Sequence, residues 1–385
     1  MPDSSIERHI AVVGAIFAAA VTASLAYRAL SKPKPSKKDI LAQLPPNLDT
    51  WRQPGTTLES EEKIWQDMDD ILQAGGLTRW PHYFCSTQRS PNNTYTSPGY
   101  SFAIPSRGIE KGVATANFLK LFDFTNSLSR AVRTREGHDA IMRIIVIKDE
   151  GKQHLDILRK VSTTPQSLLS NNHTLPMLQE FYFEHLTFGI FPKVGGNMEA
   201  AYGAWAKNSV GDILDMVIQA LEGLAFIHGL NVAHRDAFKD NFLVQWHPES
   251  MRTMTVPVSR PRVFLIDFEV GLEFQPDCPP ASCVCIGCPL GGSFTQLDTY
   301  SRPRIPEMSS GEPYNPFKLD VWQLGNSLEN FRSAIEPVDE ILANMASVDP
   351  ASRLTADEAL SRLGAIVHNM SPLSLLMPPT VIPCD

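Results

Sequence analysis

His234-Arg235-Asp236, then Asn241, then Leu265-Ile266-Asp267-Phe268 are the stretches of this chain in which side-chain type and spacing could do chemistry. The first Asp can take or orient the proton of a hydroxyl nucleophile. An Asn and a second Asp offer hard oxygen ligands that hold Mg²⁺ against nucleotide phosphates. Those are the parts phosphoryl transfer requires, because terminal phosphates repel one another and the incoming nucleophile, and a cation must offset that charge. One His-Arg-Asp tripeptide arises easily by chance. The Asn at this offset and an apolar run ending in Asp-Phe make the combination specific. The plain alternative for Asp267 is a cap closing a buried strand.

These side chains need elements to carry them. Ile213, Val217, Leu221, Leu224 and Ile227 keep a helical period up to Gly229, so a helix from Ser209 delivers the chain to residue 234. Residues 242–246 and 263–266 read as short flanking strands. Upstream, 118–124, 129–134 and 140–148 are strand-like, with a turn at 135–139. A short helix over 153–161 and two more strands over 175–183 and 186–194 follow, ending at Gly195-Gly196. Before them, Trp65, Met68, Ile71 and Leu72 predict a helix over 58–75, stopped by Gly75-Gly76. Turn formers crowd 80–108, which reads as a loop or wrapping segment.

The 385 residues are 43% hydrophobic and 20% charged, a globular composition. A net charge of −8 with a pI near 5.7 gives no basic footprint, so no nucleic-acid partner is expected. Residues 10–27 are uncharged and apolar, and as a helix would reach roughly 27 Å, enough to cross a hydrocarbon core. Arg28, Lys32, Lys34, Lys37 and Lys38 follow, which places what comes after in the cytosol. A cleaved secretory signal and a buried helix are the rival readings of that stretch. Residues 31–38 form a Pro/Lys linker. Of six cysteines, Cys278, Cys283, Cys285 and Cys288 cluster, as free or redox-active thiols or as a four-thiolate zinc site. Ser293, Thr295, Thr299 and Tyr300 nearby are candidate phosphorylation sites. The sequons at Asn92, Asn172 and Asn369 matter only in a lumen.

The His-Arg-Asp, Asn and Asp-Phe motifs resemble those of the eukaryotic protein-kinase superfamily. Three more stretches share the resemblance: Ile305-Pro306-Glu307, Asp320-Val321-Trp322-Gln323-Leu324-Gly325 and Asp349-Pro350-Ala351-Ser352-Arg353-Leu354-Thr355. It covers about residues 60 to 370 and implies an α+β, bilobal protein-kinase-like fold. The expected division is a tail over 1–38 with a transmembrane helix within 10–30 and a helix and wrapping segment over 39–110. A small β-rich N-lobe over 111–195, a large helical C-lobe over 196–372 and a tail over 373–385 follow. By resemblance Asp236 is the catalytic carboxylate, with His234, Arg235 and Lys239 beside it, and ATP and Mg²⁺ are the cofactors. Asn241 and Asp267 are the metal ligands, and Arg143 stands where the family has its phosphate-contacting Lys. Glu307 is expected to pair with Arg353, and Asp320 to brace His234-Arg235.

Several positions depart from that pattern. No Gly-rich loop precedes Arg135; Asp123-Phe124-Thr125-Asn126-Ser127-Leu128 stands there. Lys148 is a second candidate for the phosphate-contacting cation, and His154 or Asp156 falls near the expected helix Glu. Asp267-Phe268-Glu269 lacks the family's Gly, and Phe238 replaces a Lys, with Lys239 next door. This combination resembles divergent kinase-like families of fungi. The expected activity is transfer of a γ-phosphoryl group to a protein Ser/Thr hydroxyl by a membrane-tethered enzyme. The alternatives are a pseudokinase scaffold and a small-molecule phosphotransferase.

Overall fold

In the computed structural model, residues 35–53, 57–91, 121–200, 208–245 and 260–382 are described. The apolar stretch 10–27 and the sequon at Asn92 lie outside them. Among the described residues no helix is long and apolar enough to cross a membrane.

Ser36 caps α1 (Lys37–Gln43) reciprocally with Asp39, and Asn47 caps α2 (Leu48–Arg52). The helix predicted over 58–75 forms as two, α3 (Leu58–Asp67) and α4 (Asp69–Ala74). At the junction the Met68 N–H bonds the Trp65 carbonyl at 3.1 Å, a tighter turn than an α-helix allows. Trp65, Met68 and Leu72 are nonetheless all fully buried, together with Trp51 of α2. Their partners are the outward-facing residues of a five-stranded antiparallel sheet.

That sheet runs β1-β5-β6-β8-β7, and a separate three-stranded one runs β2-β3-β4. Their strands are β1 (Leu77–Arg79), β2 (His82–Phe84), β3 (Thr87–Arg89), β4 (Leu121–Asp123), β5 (Ser129–Thr134), β6 (Asp139–Ile147), β7 (Gln179–Phe183) and β8 (Leu186–Pro192). Two corrections follow. The stretch 80–108 contains the β2–β3 hairpin, while β1, just before it, hydrogen-bonds β5 as the sheet edge. The strand at 121–123 pairs with β3 outside the main sheet. Three-residue strands carry too little periodicity to be seen among turn formers.

Along β6 the two-residue period sorts side chains between two environments. Ala140, Met142 and Ile144 meet the tryptophan-bearing helices, whereas Ile141, Arg143 and Ile145 face the opposite way. There α5 (Lys152–Val161) buries Leu155, Ile157, Leu158 and Val161 in a core shared with α6 (Val210–Gly229). A Ser209/Asp212 capping box starts α6. Short pairs β9 (Val232–Ala233) with β12 (Leu272–Glu273), and β10 (Phe242–Gln245) with β11 (Arg262–Leu265), lie between it and α7 (Pro316–Ser327), α8 (Glu336–Met345) and α9 (Ala356–Asn369). The fold is mixed α+β, with four short helices, then the sheets, then the longer helices.

Candidate functional site

β9 ends at Ala233, and the chain then turns sharply, with Arg235 at φ +67°. Such a backbone holds only if its surroundings over-determine it. Asp320 of α7, fully buried, does much of this: its carboxylate accepts from the His234 N–H (2.8 Å), the Arg235 N–H (2.6 Å) and His228 Nε2 (2.8 Å). One turn along, Gln323 receives the Ala237 N–H (2.8 Å) and donates to the Arg235 carbonyl (2.8 Å). His234 Nε2 reaches the Ile266 carbonyl (2.8 Å), tying the 234–241 loop to the strand that carries Asp267. Arg353 and Glu307 form a buried double contact (2.9 and 3.1 Å), and Arg353 also donates to the Lys318 and Ser347 carbonyls.

This frame brings Asp236, Asn241 and Asp267 to one polar cavity of about 610 Å³. Asn241 donates through Nδ2 to the Asp236 carbonyl and carboxylate, both at 2.7 Å. Its oxygen, the atom a hard cation needs, keeps no hydrogen bond among the described residues. Burial and the nearby Asp267 lift the Asp236 carboxyl, against the pull of Arg302 and Asn241, to about 7. A base poised there is half ionised at neutral pH. Burial opposes the charge on Asp267 too, but the Arg143 guanidinium above all holds its carboxyl below the usual range. Arg143 and Asp267 also border a second, largely apolar cavity of about 470 Å³, whose walls include Ile141, Leu158, Leu175, Phe191 and Leu265. The pair of cavities thus offers an apolar slot beside a charged one.

On the sheet side the candidates rearrange. Arg143 enters the cleft and bonds Asp267 (2.9 Å), whereas Lys148 is exposed in the turn after β6. Neither α5 candidate for the expected Glu position, His154 or Asp156, forms an ion pair with Arg143, whose carboxylate partners are Asp267 and Glu269. Position 154 is a buried His, held neutral by burial and by Arg143 with its pKa driven down to about 3, and Asp156 is exposed beside Arg159. Arg143 finds its second partner in Glu269 (3.3 Å), the residue standing where the resemblance expects Gly. Glu269 in turn accepts from Ser293 (2.8 Å) and meets Arg52 of α2 (3.4 Å), which also bonds Ser293 (2.6 Å) and lies 3.7 Å over the Phe294 ring. At Gly292 (φ +54°) a Cβ would come within 2.9 Å of the Glu269 carboxylate, so the glycine leaves room for it.

The loop at 123–128 is closed by side chains. Phe124 stacks under Arg130 (3.9 Å), and Ser127 accepts from the Trp65 indole (3.1 Å). Lys239 lines neither cavity; its backbone N–H bonds Ser327 (3.2 Å). Arg302 occupies that ground. Its guanidinium contacts both Asp236 oxygens (2.9 and 3.0 Å) and Asp240 (2.7 Å), 5.1 Å over the Phe238 ring. Sequence reasoning missed Arg302, Glu269, Arg52 and Gln323. A charged residue shortly before Ile305-Pro306-Glu307 was the only signal for the first.

The cysteine cluster separates. Cys278 and Cys283 bring their sulfurs to 2.8 Å, while Cys285 pairs its backbone with Tyr314 and Cys288 packs near Phe238 and Tyr300. Among the described residues no group of three or more His, Cys, Asp or Glu is arranged to hold a metal. Ser293 and Tyr300 are buried, not exposed loop residues, whereas Thr295 is exposed. Asn172 is also buried, donating to the Val161 and Gln166 carbonyls (both 2.8 Å).

No family model matches the chain. Sperm motility kinase Z of Mus musculus is 27% identical over 148 residues, 36% of this chain and 24% of the mouse protein. The match therefore spans about a quarter of that relative's length, and it is a distant, partial similarity to a kinase.

Proposed function

We propose that the chain is a divergent member of the protein-kinase superfamily with a bilobal fold, and that it transfers a phosphoryl group from ATP to a protein hydroxyl. The observation that carries this is the convergence of Asp236, Asn241 and Asp267 on one polar cavity beside an apolar slot. The donor set fits a metal-bound polyphosphate. Asn241 and Asp267 would hold Mg²⁺, and two buried donors of the site, Arg143 Nε and the Tyr300 hydroxyl, have no described partner. The cation would neutralise charge on the phosphates. Asp236, near its half-ionised point, would take the hydroxyl proton, and Asp320 with Gln323 holds it in place. Glu269 does for Arg143 what a helix carboxylate does in the family pattern. In the same reading residues 10–30 tether the protein to a membrane with the 39–385 region in the cytosol, and the likeness to fungal kinase-like families extends to the altered sheet side.

A pseudokinase scaffold is the second reading. It is favoured by one observation: each acid of the site, Asp236 and Asp267, is engaged by an arginine. Transfer of label from radioactive ATP by the full chain, compared with Asp267→Ala and Asp236→Asn, separates the two. Peptide labelling lost in both variants supports the enzyme. Binding without transfer, seen as a stability gain of about 2.7 kcal/mol at a hundredfold excess over Kd, supports the scaffold. Labelling of sugars or amines and no peptide would replace both with a small-molecule phosphotransferase.

A further inference from the structure

Position 238 lies two residues beyond Asp236 and carries an aromatic ring in place of a charge. The charge comes instead from Arg302, whose guanidinium carbon lies 5.1 Å from the centre of that ring and which spans Asp236 and Asp240 with three contacts of 2.7 to 3.0 Å. Arg302 differs from the structural arginines of the molecule. The Arg353 side chain is fully buried, whereas the Arg302 side chain is 30% exposed and walls the polar cavity. Its head group can therefore turn without opening the core. Stacking on Phe238 keeps the guanidinium plane near the cavity as it turns. One guanidinium also shares two carboxylates here, so the site retains negative charge that a metal-bound polyphosphate would redistribute. Beside it Tyr300, 8% exposed, lines the same cavity, and its buried hydroxyl has no described partner.

We infer that Arg302 is a phosphate-binding cation, parked on Asp236 and Asp240 and turned toward phosphate oxygens when a nucleotide occupies the cavity. This rests on the phosphoryl-transfer reading above. A guanidinium fork matches phosphate as well as it matches carboxylate, so the exchange keeps two paired N–H···O contacts while it frees an Asp236 oxygen for a hydroxyl proton. Arg302 thus both protects Asp236 in the resting site and supplies positive charge in the loaded one.

The test uses the full chain with inorganic tripolyphosphate and Mg²⁺ in a calorimeter, alongside radioactive transfer from ATP to peptide. Arg302→Ala is expected to weaken tripolyphosphate by at least about tenfold and to lower kcat, with the melting temperature unchanged and part of the affinity restored in Arg302→Lys. Equal affinity in wild type and Arg302→Ala would overturn the inference, as would a rise in affinity and kcat, which would make Arg302 a plug. Wild-type binding that depends on Arg302, with no transfer to any peptide, would sink the kinase reading and leave the phosphate-binding role standing. If wild type binds neither tripolyphosphate nor ATP, both fall.

Discussion

The two sides of the cleft are held by different kinds of interaction. On the helical side, Asp236 is positioned by buried side chains bonded to backbone: Asp320 and Gln323 on two amides, an amide and a carbonyl, with His234 on another carbonyl. On the sheet side, Arg143 is positioned by other side chains in a ladder from Asp267 through Glu269 to Arg52. Side-chain-to-backbone contacts fix geometry and are expensive to break, because each orphaned buried group costs about 1–3 kcal/mol. A ladder of ion pairs is adjustable, and each rung can exchange its partner for a ligand. The backbone-bonded frame of the helical side therefore carries the stability, and the ion pairs, the sheet-side ladder together with Arg302, carry the response to ligand.

Mutations can break this contrast. Arg353→Ala leaves Glu307 buried without its partner and is expected to cost about 3–5 kcal/mol, read as a lower urea midpoint. An unchanged midpoint would remove the helical side from its stabilising role. Gln323→Ala orphans the Ala237 N–H and the Arg235 carbonyl, and is expected to cost at least about 2 kcal/mol in the same measurement.

A pH effect comes next. The folded pKa of Asp236 is raised, so the folded state binds its proton more tightly than the unfolded chain does. Its favourable contribution is complete below the unfolded value and is lost as pH rises through about 7. Asp236→Asn should therefore gain thermal stability relative to wild type between pH 4 and 7 and hold that gain beyond. Peptide labelling by wild type should rise between about pH 6 and about pH 8, half complete near pH 7. A melting difference that is flat with pH would contradict the buried, uplifted carboxyl. The smallest effect belongs to the ladder: Arg52→Ala should change stability by only about 0.2–1 kcal/mol. It should nevertheless weaken Mg²⁺-ATP measurably by calorimetry, and a large stability loss without an affinity change would reverse the comparison.

The helical side was legible in the sequence because its parts sit at fixed offsets. His234, Asp236, Asn241 and Asp267 announce one another, and a long helix such as α6 repeats its period often enough to be read. The Glu307–Arg353 contact was reachable only through the motifs that contain both residues. The sheet side was opaque for a physical reason. Glu269 meets Arg143 and Arg52 across more than a hundred residues of chain, and nothing local in a Glu marks its distant partner. Arg302 and Asp236, 66 residues apart, are equally unmarked by anything local. Strands of three residues, such as β1 to β4, show no more than one alternation, so their pairing is decided by tertiary contact. Arg143 was the exception: the resemblance pointed to it, and its place on β6 turns it into the cleft.

The tryptophans of α2 and α3 carry a practical consequence for dissecting this protein. They cover Val132, Ala140, Met142, Ile144 and Phe188, so that the sheet is apolar on both faces. A fragment cut just ahead of β1, although it would keep every strand and every acid of the cleft, would present a broad greasy surface to water. Such a piece is expected to self-associate on expression, which makes residues 37–74 a fixed part of the smallest piece that can be handled alone.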